Sequence, residues 1–305
     1  KEGKQDEFYT QLSLVENEMK HYVKHFMGKT IFCNCDDPEE SNFWKYFELN
    51  FDRLGLKKLV STHYEKEIPS YKLEMTGDVN GDGITDKHDI VRTRLVQNGD
   101  FRSQECIDIM NSADIIITNP PFSLFREYVS QLINNNKKFI IIGNQNAITY
   151  KEIFHLFQEN KIWMGYNSGH FWFRVPDNYE VKTTDFKIDD KGVKWRRMGN
   201  ICYFTNLDID KRHESMLLYK NYDEAYYPKY DGYDIIEISK TLEIPCDYYG
   251  VMGVPITFME RYNPDQFEIL GVANSARYIG LECKTLINGK KIYNRVLIKR
   301  KEASK

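Results

Sequence analysis

The feature that most constrains this chain is the segment 114–129, in which a short β-branched run leads directly into two prolines. The isoleucines at 115–117 are typical of a strand buried on both faces of a parallel sheet. Pro120 and Pro121 cannot extend that strand, because each lacks an N–H and has a fixed φ. The chain must therefore leave the sheet in a rigid loop. The apolar spacing that follows predicts a helix capped by Ser123.

A rigid loop at the carboxyl end of a parallel strand is where open α/β sheets carry their chemistry. This loop presents the amide of Asn119, the carbonyls of Pro120 and Pro121, and the ring of Phe122. An amide oxygen and one carbonyl can accept both protons of an amine while a ring stacks on its plane. An ordinary proline turn would look similar. However, Asn-Pro-Pro-Phe resembles the motif of methyltransferases that modify amino groups, and this resemblance predicts all four residues as catalytic.

The composition limits the class of protein. A chain of 305 residues with 41% hydrophobic residues can bury a sizeable core. The net charge of −3 provides no general attraction to nucleic acid, so a nucleic-acid partner requires a local basic surface. Six cysteines without a CxxC pair indicate reduced thiols and a cytoplasmic location. No apolar run approaches the length of about 18 residues needed to span a membrane.

Alternation of strand and helix patterns predicts the fold class. Apolar runs predict strands at 30–35, 57–64, 115–117 and 137–143. Helix patterns between and after them begin near Ser41, at Ser103 and at a Thr149–Glu152 capping box. From residue 161 the pattern becomes β. We therefore predict an α/β fold with a mostly parallel sheet covered on both faces, with antiparallel strands at one edge. We predict a catalytic domain over 1–205 and a β-rich domain over 206–305.

The segment 78–89 has two interpretations. Its oxygen-bearing side chains and its glycine have the spacing of a calcium-binding loop. However, the last position is Asp89 rather than the usual bidentate glutamate, and only one such loop is present. Asn-Gly-Asp-Gly is also typical of a solvated hairpin turn. Both interpretations stay open at this stage, and neither has a catalytic role.

Taken in order, several segments resemble the EcoRI-type adenine-specific DNA methyltransferases of restriction–modification systems. The resemblance spans nearly the whole chain, with 78–89 as the main stretch that does not match. The segments that carry it are 6–11 (DEFYTQ), 33–38 (CNCDDP), 99–103 (GDFRS), 118–126 (TNPPFSLFR), 143–152 (GNQNAITYKE), 199–202 (GNIC) and 253–258 (GVPITF).

This resemblance implies S-adenosylmethionine as methyl donor and duplex DNA as substrate. It also implies a seven-stranded methyltransferase sheet whose last strand is antiparallel. One departure is the lack of glycine after the first strand, where methyltransferases usually let the backbone approach the cofactor. The residues that match the family's cofactor-binding positions are Phe8, Tyr9, Thr10, Asn34, Cys35, Asp36, Asp37, Asp100, Phe101 and Asn119.

Two basic clusters are candidates for holding DNA. One surrounds Gly192, and the other occupies 284–301, where turn residues Asn288 and Gly289 indicate a hairpin. Ordinary surface lysines on a solvated hairpin are the alternative for any single residue. The density of cations favours DNA binding, which predicts a C-terminal target-recognition region. The predicted DNA-binding residues are Lys194, Arg196, Arg197, Lys290, Lys291, Arg295, Lys299 and Arg300.

The sequence-based prediction is therefore methyl transfer to the N6 amine of a flipped adenine by the modification enzyme of a restriction–modification system. Such a transfer requires no metal, and the chain shows no sign of an obligate protein partner. Rival functions are an amino-methyltransferase acting on rRNA guanine or protein glutamine, and a non-catalytic DNA- or calcium-binding module. The recognition sequence is not readable, because base specificity lies in a few side chains that reach groove edges.

Overall fold

The computed structural model describes residues 9–66, 70–180, 184–273 and 283–302. The chain folds into two compact units. The first unit comprises 1–147 and 164–207, and the second comprises 148–163 and 208–305. The sequence places a boundary at residue 205, whereas the second unit also takes up the segment 148–163. Within that unit, Gln158 Nε2 donates to the Leu270 carbonyl at 3.2 Å.

Ten described strands form one mixed sheet. They are β1 (Tyr9–Thr10), β2 (Thr30–Cys33), β3 (Lys58–Thr62), β4 (Tyr71–Met75), β5 (Val91–Arg94), β6 (Ile115–Thr118), β7 (Lys138–Asn144), β8 (Trp163–Arg174), β9 (Phe186–Ile188) and β10 (Lys194–Thr205). Their order is β1-β8-β10-β7-β6-β2-β3-β4-β5, with β9 paired to β10. The central strands β7, β6, β2 and β3 are parallel, as predicted. The predicted antiparallel strand is β10, which pairs with β7.

The sheet has more strands than the predicted seven, and its edges explain the difference. At one edge, β4 and β5 form an antiparallel hairpin next to β3. All four residues of β5 are exposed, so this strand lacks the apolar alternation that a sequence pattern detects. Strands β1 and β9 are too short to give a pattern of their own. Antiparallel pairs therefore flank a parallel centre on both sides.

Six α-helices are present in the described part of the chain. They are α1 (Leu12–Met19), α2 (Asn42–Leu49), α3 (Phe51–Leu54), α4 (Gln104–Ser112), α5 (Phe125–Asn134) and α6 (Lys151–Gln158). The predicted start of a helix after Ser41 is confirmed, and so is the Ser103 cap: the Ser103 hydroxyl accepts from the Cys106 N–H at 3.3 Å.

Two predicted caps are wrong. Ser123 lies inside a 3₁₀ turn over Phe122–Leu124, and α5 begins only after that turn, without a side-chain cap. The turn forms because the Leu124 N–H donates to the Pro121 carbonyl at 2.9 Å. Thr149 ends another 3₁₀ turn, so Tyr150 rather than Thr149 precedes α6. A 3₁₀ turn shifts the first helical residue, which a cap motif alone does not reveal.

The second unit combines short strands with 3₁₀ turns, helix α6 and irregular segments. Its described strands are β11 (Ile235–Glu237), β12 (Val251–Val254), β13 (Phe267–Val272), β14 (Leu286–Ile287), β15 (Lys290–Lys291) and β16 (Val296–Arg300). Four form a sheet in the order β11-β12-β16-β13. The predicted turn at Asn288 and Gly289 is confirmed, with φ of +51° and +73° between β14 and β15. The Asp231 carboxylate accepts both turn N–H groups, at 2.9 and 2.7 Å.

The segment 78–89 forms the connection between β4 and β5. The Asp89 carboxylate is buried and accepts the N–H groups of Val79, Asn80 and Asp86 at 2.8, 3.1 and 3.0 Å. Asp78 accepts those of Gly81 and Gly83. The two end carboxylates thus close the loop with backbone hydrogen bonds. Among the described residues, no group of His, Cys, Asp or Glu is arranged to hold a metal ion.

The cysteines and the lengths of the helices bear on the environment of the described chain. All six cysteines are free thiols, and four of them are buried. Of the described helices, none is both long enough and apolar enough to cross a membrane.

Candidate active site

Three loops predicted to carry function meet at one edge of the first unit's sheet. Asn34 follows β2 and Asn119 follows β6, which are adjacent parallel strands. The Thr118 hydroxyl donates to the Asn34 carbonyl and ties the two loops together. The third loop contains Gly99, where a Cβ atom would lie 1.9 Å from the His63 carbonyl oxygen beyond β3. Only glycine fits this position, which also has a φ of +79°.

The proline loop holds its functional groups rigidly. Asn119 is 6% exposed, Pro120 is buried, and Phe122 is half-buried. The Phe122 ring meets Phe173 of β8 edge to face, with 6.4 Å between the ring centroids. The fixed φ of both prolines and this aromatic contact restrict the loop, so the amide and the ring are presented in a preset geometry.

The N-terminal motif lies beside that aromatic contact. In the β1–β8 pairing, Thr10 lies opposite Phe173 and Tyr9 opposite Arg174. The Thr10 carbonyl accepts from Asn42 Nδ2 at 2.7 Å, which secures the strand to α2. The Thr10 hydroxyl oxygen is buried and has no hydrogen-bond partner among the described residues. Such a group usually needs a partner. Phe8, the remaining residue of this predicted motif, lies outside the described residues.

The residues after β2 differ in their surroundings. Asn34 is buried, and its amide oxygen accepts from the Tyr128 hydroxyl on α5. Cys35 has a φ of +69°, so the chain makes its tight turn there without the glycine usual in methyltransferases. Burial raises the pKa of the Cys35 thiol well above its ordinary value, and the charge of Asp36 adds to this rise. The thiol is therefore neutral at physiological pH.

The carboxylates of the two predicted aspartates in this loop contact other groups of the same chain. Asp36 accepts from the hydroxyl of Ser41 at 3.1 Å, and Ser41 in turn caps α2. Asp37 accepts the Glu39 N–H at 3.0 Å and lies 3.7 Å from His63 Nε2. Asp36 thus supports the start of α2 through Ser41, whereas Asp37 contacts the turn before that helix and His63.

Asp100 and Phe101 form the third predicted cofactor loop. The Asp100 carboxylate is held by Arg102 through a two-pronged ion pair, with Nε to Oδ1 at 2.8 Å and Nη2 to Oδ2 at 2.6 Å. Burial raises the pKa of Asp100, but the hydrogen bonds and charge of Arg102 outweigh it, so the pKa lies below its ordinary value. The Phe101 ring is buried, with Arg102 over it at 5.3 Å and Tyr128 at its edge.

Tyr128 is the residue of this site that sequence reasoning missed as functional. Its hydroxyl binds Asn34, and its ring contacts Phe101 at a centroid distance of 5.0 Å. One α5 side chain thus joins two predicted cofactor loops. In the sequence, Tyr128 is simply one of the apolar positions of the helix. The only signal in the sequence was the hydroxyl group of Tyr128 at a position expected to be buried, because a buried hydroxyl requires a hydrogen-bond partner.

The chain matches a known protein family over nearly its full length. The family model described as "Adenine-specific methyltransferase EcoRI" matches residues 1–301. The chain belongs to this family.

Three relatives match over most of their length. The Type II methyltransferase M.EcoRI of Escherichia coli is 46% identical, over 100% of this chain and 96% of its own. M.MgeORF184P of Mycoplasma genitalium is 37% identical over 99% and 98% of the two chains. M.MpnI of Mycoplasma pneumoniae is 38% identical over 88% and 83%. The protein is therefore an adenine-specific methyltransferase of the EcoRI family, which decides against the rRNA guanine, protein glutamine and non-catalytic alternatives.

The EcoRI-family chain has its first predicted DNA-binding cluster on β10. Lys194 donates to the Asp177 carbonyl, and Arg196 donates to the Tyr179 hydroxyl at 2.5 Å. Both side chains are thus half-buried against the segment after β8. Arg197 is exposed. Of these three cations, Arg197 is the most accessible to a phosphate.

The second cluster of this methyltransferase is also heterogeneous. Lys290 and Lys291 are exposed on β15, and Lys299 is exposed on β16. Arg300 is half-buried and donates to the Cys246 carbonyl. The three lysines therefore remain available for phosphate contacts, whereas Arg300 already has a structural partner.

Arg295, another predicted DNA-binding residue, has a buried partner within the protein. Its guanidinium donates twice to Glu237 Oε1, at 2.9 and 2.7 Å, and the two side chains are only 11% and 6% exposed. Glu237 also accepts from the Tyr230 hydroxyl at 2.6 Å. Arg295 thus belongs to a buried polar network within the second unit. In the sequence, Arg295 alternates with apolar residues and therefore looks like an exposed strand position. Its partner Glu237 is far away in the sequence, so the pattern could not reveal the ion pair.

Proposed function

We propose that this protein transfers a methyl group from S-adenosylmethionine to the N6 amine of an adenine flipped out of duplex DNA. We further propose that it does so as the modification enzyme of a restriction–modification system. The observation that carries the proposal is the convergence of the rigid Asn119–Phe122 loop with Asn34 and Thr10. An amine acceptor and predicted cofactor residues then share one edge of the sheet.

The residues at this edge suit S-adenosylmethionine. The Thr10 hydroxyl is a buried polar atom that a ligand can satisfy. The close backbone approach at Gly99 shapes the loop that carries Asp100 and Phe101. In our proposal Asn34 and its neighbours hold the methionine end of the cofactor. Asp100 accepts a hydrogen bond from the amino group of the cofactor's own adenine. When bound, this cofactor supplies an electrophilic methyl group attached to a positively charged sulfur.

The proline loop then orients the target. The amine of adenine is a poor nucleophile, because its lone pair is delocalised into the ring. The Asn119 side-chain oxygen and the Pro120 carbonyl accept hydrogen bonds from its two N–H groups and direct the lone pair towards the methyl group. Catalysis is therefore positioning and electrostatic stabilisation, without a strong general base or a metal. Stacking on Phe122, worth about 1–3 kcal/mol per base, offsets much of the few kcal/mol that base flipping costs.

The DNA is held by accessible cations in this proposal. Lys290, Lys291 and Lys299 contact phosphates or groove edges from the second unit, which we assign as the target-recognition region. Arg197 is the corresponding candidate of the first unit. Lys194, Arg196 and Arg300 stay as secondary candidates, because each would have to exchange a protein partner for a phosphate. Free thiols throughout the chain suit a reducing cytoplasm.

Methyl transfer in vitro tests this proposal. The protein is incubated with S-adenosylmethionine carrying a labelled methyl group, and with duplex DNA, rRNA or a protein extract. We expect label in duplex DNA alone, and methyladenine on sequencing of that DNA. Label in rRNA or protein, or at a base other than adenine, would overturn the proposed substrate.

A further inference from the structure

The Asp100 carboxylate is only partly used by its partner. Oδ1 accepts two hydrogen bonds, from the backbone N–H and Nε of Arg102, both at 2.8 Å. Oδ2 accepts one, from Arg102 Nη2 at 2.6 Å. A carboxylate has about four lone-pair positions in total. In the described structure, Oδ2 therefore retains the capacity to accept a further donor.

The groups around this ion pair come from four elements. Burial raises the pKa of the Cys35 thiol after β2 and of the Cys106 thiol on α4, and the charge of Asp100 adds a smaller part to each rise. Arg102 Nη1 lies 3.9 Å from Glu127 on α5. Tyr64 after β3 also interacts with the guanidinium. Of all these groups, Arg102 is the cation that faces Asp100.

We propose that Arg102 is a positioning residue for the adenine end of the cofactor. It fixes the Asp100 carboxylate, keeps it charged and leaves Oδ2 directed to accept the cofactor's amino group. This inference rests on the proposed function, because it assumes the cofactor-binding role of Asp100. The planar fork of arginine suits this task, since two parallel bonds fix the carboxylate plane as well as its charge.

Two opposing effects act on Asp100, and Arg102 decides between them. Burial favours the protonated acid, whereas the bonds and charge of Arg102 favour the carboxylate. Without Arg102, burial prevails and the pKa of Asp100 rises. A protonated Asp100 still accepts weakly but loses the charge assistance of its bond. Cofactor affinity would then fall as the pH falls through the new pKa of Asp100.

The test measures binding of S-adenosylhomocysteine, which carries the same adenosine and cannot react, by calorimetry between about pH 5 and about pH 8. The variants are Arg102→Ala, Arg102→Lys, and Arg102→Ala combined with Asp100→Asn. Arg53→Ala is the matched control, because it removes an exposed arginine of α3 that contacts Asn50. Dividing each dissociation constant by the wild-type value at the same pH removes titration of the ligand. Circular dichroism confirms folding at each pH.

We expect the ratio for Arg102→Ala to rise several-fold from the alkaline to the acid end, because burial without Arg102 raises the pKa of Asp100 towards the acid end of this range. Arg102→Lys retains the charge. Its dissociation constant, divided by the wild-type value, should therefore not change with pH, even though binding is weaker. The double variant has no titrating group at residue 100, so its ratio to the wild-type dissociation constant should also be independent of pH. A flat, unchanged ratio for Arg102→Ala would overturn the inference. If wild-type protein does not bind S-adenosylhomocysteine at any pH, the proposed function itself fails.

Discussion

At the scale of single residues, the site depends on a few polar atoms whose positions are set by packing. Asn119 is held at the end of a fully buried strand by two prolines. Asn34 is held by hydrogen bonds from two different elements, Thr118 of β6 and Tyr128 of α5. Buried polar groups with fixed partners lose little further entropy when a ligand arrives. Substitutions at these residues therefore separate the positioning of the reacting groups from the binding of the cofactor.

Asn119→Ala should reduce methyl transfer by about 10²-fold or more, by analogy with the loss of one preorganised polar group in an active site. Cofactor binding should be mostly retained, because in the proposed mechanism the amide acts on the target amine. Single-turnover assays with labelled S-adenosylmethionine measure the first quantity, and calorimetry measures the second. Asn111→Ala, which removes an exposed asparagine of α4, is the control. Near-normal turnover of Asn119→Ala would refute the assigned role.

Tyr128→Phe removes the hydroxyl that binds Asn34 but keeps the ring beside Phe101. The variant should lose about 1–3 kcal/mol of stability, because a buried amide oxygen loses its donor. It should also bind the cofactor several-fold more weakly. Tyr203→Phe is the matched control, since that buried hydroxyl donates to the Leu14 carbonyl at 3.3 Å and touches no cofactor loop. Equal cofactor affinity in the two variants would leave Tyr128 with a structural role only.

At the scale of elements, the β4–β5 connection shows how one loop sequence can serve two purposes. Calcium-loop spacing places carboxylates where they can surround an ion or accept backbone N–H groups. In this structure the Asp78 and Asp89 carboxylates accept backbone N–H groups, and a short 3₁₀ turn over Lys87–Asp89 completes the closure. These contacts agree with the hairpin interpretation, and calcium binding is decided by the measurement that follows.

Calcium at millimolar concentration should leave the melting temperature unchanged, whereas Asp89→Ala should lower it. The backbone hydrogen bond from Asp86, followed by those from Val79 and Asn80, lowers the pKa of Asp89. Its stabilising effect is thus present above the pKa of an unfolded aspartate and is lost as pH falls through the lower folded value. Asp82→Ala, which loses one exposed bond, is the control. A higher melting temperature in calcium would contradict this interpretation.

At the scale of the whole molecule, the question is how a protein with a net charge of −3 holds a polyanion. Attraction has to come from local cations, and only exposed ones can release counterions from DNA. The structure separates the predicted cations into exposed ones and ones already bound to protein groups. The exposed cations are Lys290, Lys291, Lys299 and Arg197, and the bound ones are Lys194, Arg196, Arg295 and Arg300. This division makes the two kinds of substitution distinguishable.

Lys290→Ala combined with Lys291→Ala should weaken binding to all DNA sequences and reduce the salt slope by about one unit per lost contact. Arg295→Ala should instead destabilise the fold by about 3–5 kcal/mol, because it leaves Glu237 buried without its cation. DNA binding titrated over a range of salt concentrations measures the first effect, and chemical denaturation measures the second. If the double lysine variant keeps both affinity and slope, the cluster around Gly192 is the next to test.

Much of the fold followed from local patterns. Apolar periodicity predicted the parallel centre of the sheet and several helix starts, because burial on one or both faces imposes a repeat on the sequence. The turn at Asn288 and Gly289 was also readable, because positive φ at two successive residues restricts residue type. Exposed β5 was missed because its sequence has no such repeat. The Ser123 and Thr149 caps were wrong because 3₁₀ turns moved the helix starts.

The sequence by itself determined the family and the order of the loops, and it predicted which motif binds the amine. Those properties depend on residues that are neighbours along the chain. Only the tertiary structure decided that Tyr128 joins two loops, that Arg102 rather than solvent faces Asp100, and that Arg295 lies in a buried ion pair with Glu237. The physical reason is that the charge, burial and hydrogen-bond capacity of a side chain depend on its neighbours in space. For Tyr128 and Arg295, those neighbours are far away in the sequence.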